Sequence, residues 1–188
     1  MSSPDVTRRR FLVAAAAVPL GAAALPRAAS AATAQEIEAD VNRALATLYR
    51  TTPGAQELAG RAKGMLIMPK IRKAGLIVGG AYGEGALRVN NATASYWSVA
   101  AASLGLQIGA QVTAQALFFM TTAALERFRR SDGWELGAGA EFTVPEDGLG
   151  IELNTTVTNR PVIAITFGQD GLMAGASFEG AKYSPIVR

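Results

Sequence analysis

Leu106-Gln107-Ile108-Gly109-Ala110-Gln111-Val112-Thr113-Ala114-Gln115-Ala116 is the stretch that decides the fold class. Every even position is apolar, while Gln107, Gln111, Thr113 and Gln115 hold odd positions with Gly109 between them. Strict alternation over this length predicts a strand with one buried and one polar face. Leu117-Phe118-Phe119-Met120 carries the strand on into fully buried surroundings.

Working outward, helical signals come first in the chain. Thr33 and Glu36 form a capping-box pattern, and Ile37, Val41, Leu45 and Leu48 recur at helical spacing through Arg50. Thr52-Pro53 predicts a second helix start. Leu58, Ala59 and Ala62 supply its apolar side, and Gly64 is its expected end. Met65-Leu-Ile-Met68 and Gly75-Leu-Ile-Val78 read as two short buried strands separated by a Pro69–Lys73 turn. Thr121 or Thr122 caps a later helix reaching Arg130, with Leu125 and Phe128 on one side. Trp134–Val144, Leu149–Val157, Val162–Phe167 and Leu172–Phe178 read as antiparallel strands broken by turn chemistry such as Pro145-Glu-Asp-Gly148. The expected fold is α+β: an antiparallel sheet packed with N-terminal helices and one later helix.

Residues 1–31 read as an export signal rather than as structure. Thr7-Arg8-Arg9-Arg10-Phe11-Leu12 leads into an apolar run of about 15 residues, Phe11 to Leu25, and then into Ala28-Ala29-Ser30-Ala31. That is the basic, apolar and small-residue order of a secretory signal, and it is shorter than the ~20 residues a membrane span needs. Arg8 and Arg9 before x-Phe-Leu resemble the twin-arginine export motif. Cleavage is expected after Ala31, leaving residues 32–188 as a single domain. The expected location is the periplasm or cell envelope.

The chain has 18 Lys and Arg against 15 Asp and Glu, a formal charge of +3. Arg8, Arg9, Arg10, Arg27 and Asp5 all leave with the signal, so the mature chain has 14 basic and 14 acidic residues. That balance gives no reason to expect a nucleic-acid partner. The charge is nonetheless segregated. Residues 61–130 carry nine bases against Glu84 and Glu126, and residues 131–180 carry eight acids against Arg160. Either the halves pair across the fold or are solvated separately, or Lys70-Ile-Arg72-Lys73 marks a basic face for anionic headgroups.

No Cys and no His occur in the chain. Thiolate and imidazole metal sites, disulfides and His-based nucleophilic catalysis are therefore excluded, and no cofactor is expected. Gly79-Gly80-Ala-Tyr-Gly83-Glu-Gly85 follows a strand, but it is not G-x-G-x-x-G and no Lys-Ser/Thr follows. Strand glycines more often mark a bulge or close backbone packing. Glu141, Glu146, Asp147 and Glu152 are the carboxylates that could form a general acid/base pair.

Several blocks occur in a fixed order. Gly64-Met-Leu-Ile-Met-Pro69-Lys70-Ile-Arg-Lys-Ala-Gly75-Leu-Ile-Val-Gly79-Gly80 comes first, then Gly83-x-Gly85, Tyr96-Trp97-Ser98 and Gly105-Leu-Gln107-x-Gly109-x-Gln111. Gly171-Leu-Met-Ala-Gly175-x-Ser177-x-Glu179-Gly180 closes the series. Together they resemble the SYLF domain of yeast actin-patch SH3 adaptors and related plant and animal proteins, a family with many exported bacterial members. The resemblance covers essentially the whole mature chain. It implies binding of anionic phospholipid, actin binding in the yeast branch, and no known catalysis. An exported protein would not meet cytoplasmic actin in its own cell.

Carried over, the resemblance makes Lys70, Arg72 and Lys73 the expected lipid contact, with Lys63 and Arg88 on the same basic face. Tyr96 and Trp97 are the candidate interfacial aromatics. The helix Glu36–Arg50 starts acidic, which weakens it as a membrane-surface helix. The leading expectation is peripheral, non-catalytic binding of anionic phospholipid. The alternatives are a hydrolase of envelope polymers using Glu141 and Glu152, or a structural partner in the envelope.

Overall fold

Thr33 begins the described structure with a reciprocal cap. Its hydroxyl accepts from the Glu36 amide while the Glu36 carboxylate accepts from the Thr33 amide. The computed structural model describes residues 32–75, 78–104, 109–135, 141–143, 160–170 and 180–188. All of them belong to one compact unit, Ala31–Arg188.

The capped helix is α1, Ala34–Thr51, and it buries Ile37, Val41, Ala44 and Leu48. A short α2, Ala55–Arg61, follows. Its N-cap is Gly54 in the left-handed region rather than Thr52, because Thr52 closes α1. Gly64 does not end this helix; it opens the first strand. The strands are β1, Gly64–Gly75; β2, Val78–Val89; β3, Ala92–Leu104; and β4, Gly109–Phe119. Helix α3, Thr122–Arg129, is capped by the Thr121 hydroxyl. Strands β5, Trp134–Glu135; β6, Glu141–Thr143; β7, Val162–Asp170; and β8, Lys182–Ile186, complete the set.

The fold is α+β, and the eight strands form one sheet in the order β5-β8-β3-β2-β1-β4-β7-β6. Pairing is antiparallel except that β6 runs parallel to β7, so the last strands are not uniformly antiparallel as expected. Nor are there two short strands around a turn at Pro69–Lys73. β1 runs through that segment as one strand, with its register shifting between Ile67 and Lys70 against β2. A bulge accommodates Pro69, which has no N–H for a regular ladder. The expected strands 149–157 and 172–178 lie outside the described residues, as does the signal.

The sheet is curled. Three strands stand between β8 and β4, so a flat sheet would hold them about 19 Å apart. Yet the Tyr183 hydroxyl of β8 donates to the Gln115 Oε1 of β4 at 2.5 Å. The concave face carries Leu66, Met68, Ile71, Leu87, Val99, Leu117, Phe119 and Trp97, and it is closed by Ala124, Leu125 and Phe128 of α3. The convex face is covered by α1 and α2 over Met65, Ile67, Ala86, Ala116, Phe118, Ile163 and Ile165. Coverage on both sides alters the reading of β4. Its alternation is present, but Thr113 and Gln115 on the polar side are fully buried and point into the concave interior.

Candidate functional site

The five basic residues picked out by the sequence are distributed over β1, its entry and β2. Lys63 precedes β1, is exposed, and makes no ion pair with a described residue. Lys70, Arg72 and Lys73 are strand residues, not loop residues, so alternation separates them. Ile71 is buried on the concave face, which puts Lys73 on that side and Arg72 on the convex side. Arg72 is exposed and, like Lys63, has no ion pair among the described residues. Lys73 is half-buried, and desolvation lowers its pKa from the usual lysine value.

Lys70 and Arg88 are held by α1. The Lys70 ammonium lies 2.7 Å from the Asp40 carboxylate, and Asp40 also accepts from Arg43. Arg88 donates to Glu38 at 2.9 Å and to the side-chain Oδ1 of Asn42 at 2.8 Å. Glu38 also accepts from the Thr93 and Tyr96 hydroxyls. Desolvation pushes the Glu38 carboxyl up, but the hydrogen bonds from Thr93, Tyr96 and Arg88 outweigh it and hold the pKa below the ordinary range. Asp40 is likewise lowered: bonds from Lys70 and Arg43 overcome its desolvation. The segregated bases are thus partly neutralised by the acidic start of α1, at residues upstream of the basic stretch.

The aromatics serve the interior. Trp97 is buried, with its ring centroid 4.0 Å from that of Phe128, and its indole N–H donates to the Ser95 hydroxyl at 2.8 Å. Its concave position inside the curled sheet keeps it from acting as an interfacial anchor. Tyr96 lies on the convex side, half-buried, with its hydroxyl spent on Glu38. Arg127, Arg129 and Arg130 stand at the end of α3 and enter the sequence reading only as part of the basic stretch. Arg129 and Arg130 share Glu126, and Arg127 is exposed with no ion pair among the described residues. Three arginines within four positions was the available signal. A shallow groove there is lined by Ala123, Glu126, Arg127, Arg130 and Ser131.

The carboxylate reading gains no geometry. Glu141 starts β6, while Glu146, Asp147 and Glu152 lie outside the described residues. Among the described residues, no group of three or more acids could hold a metal ion. The strand-glycine reading does hold: Gly83 and Gly85 of β2 face the bulged part of β1 at very close range. Among the described residues, no helix is long and apolar enough to cross a membrane.

No curated protein matches the chain significantly. The family model described as Ysc84, the Las17-binding protein actin regulators, matches residues 100–186. That span takes in the end of β3, from Ala100 to Leu104, and every element from β4 to β8. The ordered glycine and aromatic blocks and this match agree: residues 100–186 are similar to the SYLF domain of the Ysc84 family.

Proposed function

We propose that this chain is an exported, non-catalytic envelope protein that binds anionic phospholipid headgroups peripherally through exposed cations. The SYLF family is one of lipid-binding proteins and actin regulators, which supports the lipid reading. The observation that carries it is a set of exposed cations left without a carboxylate among the described residues: Lys63, Arg72 and Arg127, with Arg50 and Lys182 unpaired as well. Cations near a negative bilayer contribute about 1 kcal/mol each, and the attraction decays within a Debye length. Lys70 adds a further charge only if its bond to Asp40 yields to a headgroup, and Arg88 is further committed to Glu38.

Flotation of residues 32–188 with vesicles tests this. Binding should rise with the fraction of phosphatidylglycerol over phosphatidylcholine and fall with salt. The double variant Lys63→Glu/Arg72→Glu should lower binding several-fold while retaining the wild-type melting temperature. Lys70→Glu is a poor probe, because it sets a new carboxylate against Asp40. Indifference to phosphatidylglycerol at low salt would exclude the reading. Export by the twin-arginine route is part of the proposal. The mass of the exported protein should correspond to a chain starting at Ala32, and Arg8→Lys/Arg9→Lys should retain the precursor in the cytoplasm.

A further inference from the structure

We infer that the open part of the convex face, a row of Arg72, Tyr82, Ala100 and Lys182 across β1, β2, β3 and β8, docks on the headgroup zone of an anionic bilayer with the Tyr82 ring as its anchor. This rests on the lipid reading above and deepens it, because it assigns the face that meets the membrane and the aromatic that enters it.

The row is set by register. Arg72 pairs with Tyr82, Tyr82 with Ala100, and Ala100 with Lys182. Partners directly opposite share a face of the sheet, so all four stand on the convex side with Arg72. Helix α1 reaches along this side as far as Lys70, which Asp40 holds. Two positions further along β1 the cover ends: Arg72, Tyr82, Ala100 and Lys182 are all exposed.

Tyr82 is unusual among the apolar residues. Among the described residues, only it and Val187 are large apolar side chains left in solvent, and Tyr82 is 52% exposed. Its neighbours on this face, Gly80 and Ala100, are small and exposed, so the ring projects beyond them. The Tyr82 hydroxyl donates to Glu84 Oε1 at 2.7 Å. Desolvation and that bond raise the phenol pKa, so the ring brings no negative charge. Arg188 donates to the same Glu84 oxygen at 2.5 Å and offsets the carboxylate. A ring whose polar tip is already satisfied suits the boundary between headgroups and acyl chains.

The charges on either side select the surface. Neighbouring strands are about 4.8 Å apart, so Arg72 stands one spacing from Tyr82 on one side and Lys182 two spacings, roughly 10 Å, on the other. Neither cation makes an ion pair among the described residues. Each can meet a headgroup while the ring lies between them, and their attraction is to anionic lipid. Glu135 of β5, the register partner of Lys182, brings an acid to the outer end of the row and opposes docking.

The chain has no Cys, so Ala100→Cys in the mature chain takes a single environment-sensitive fluorophore inside the row. Phosphatidylglycerol vesicles should shift its emission to the blue, while the same label at Gln56→Cys, exposed on α2, should not respond. In flotation with these vesicles, Tyr82→Ser should weaken binding about fivefold or more while keeping a cooperative melt. Tyr82→Phe should bind as the wild type does, because the hydroxyl is committed to Glu84. Lys182→Gln should weaken binding several-fold, and Glu135→Gln should strengthen it. Wild-type binding that Tyr82→Ser leaves intact, or a label that responds equally at both positions, would overturn this docking face and leave the lipid reading standing. A wild type indifferent to phosphatidylglycerol would overturn both. A dimer that Tyr82→Ser dissolves, with no response of the label to vesicles, would assign the face to a second copy of the chain instead.

Discussion

A Cβ placed on Gly85 would collide with the Ile67 carbonyl oxygen and come within 2.7 Å of the Met68 sulfur. The backbone of β1 bulges toward β2 there, and only a residue without a side chain fits. Gly85→Ala should therefore cost about 1–3 kcal/mol or more in chemical denaturation. Gly60 of α2 is the contrast, with nothing within 4 Å of an added methyl. Gly60→Ala should leave stability unchanged or raise it by up to ~1 kcal/mol, from helix propensity. The glycine run was legible as close strand packing because it lacked the phosphate-loop spacing. The facing bulge was not, because Pro69 among charged residues has turn composition. Asn90 and Asn91, both at positive φ, make the tight β2–β3 hairpin and were the overlooked local signal.

At the scale of elements, α1 is fastened to the sheet twice, by an apolar stripe and by its acids. Glu38 gathers Arg88, Thr93 and Tyr96, and Asp40 gathers Lys70 and Arg43. Glu38→Ala should lower stability by ~1–3 kcal/mol, because it strands Arg88, whose Nε already lacks a partner among the described residues. The pH dependence follows from direction. Glu36, Glu38 and Asp40 all have folded pKa values below their ordinary ones. Their contribution is complete above the unfolded carboxylate range, about pH 4, and is lost as pH falls from there through their lower folded values. Melting temperature should thus hold steady from neutral pH down to mildly acidic pH and drop below about pH 4. In Glu38→Gln/Asp40→Asn the acid drop should be smaller. Helix α1 was legible down to its capping box, since both its period and its cap are local. The partner of its acidic side was not, because Arg88 is 50 positions away from Glu38. The polar stripe of β4 was legible as a stripe, but period alone does not say which side meets water.

Across the whole molecule, the α+β class followed from helical periods giving way to period-2 alternation. The curl did not, because it depends on a bond between residues 68 positions apart. Strand β8 escaped notice as well: Lys182-Tyr-Ser-Pro-Ile186 is short and contains a proline. It is nonetheless an inner strand, bonded to β3 and β5. The site was legible as a list of cations but not as a surface, since strand alternation and ion pairs with α1 divide the list. Pairings such as β3 with β8 place the molecule among folds dominated by non-local contacts. Refolding from denaturant, followed by tryptophan fluorescence, should accordingly take milliseconds to seconds rather than microseconds.

The position of β8 also imposes an order of assembly. A chain emerging from its amino terminus can form α1 and the β1–β2–β3 meander long before residues 182–186 exist. Until they arrive, Gln115 has no Tyr183 and Trp97 lacks the β8 strand that pairs alongside it in β3. The concave side is thus the last part of the domain to be sealed.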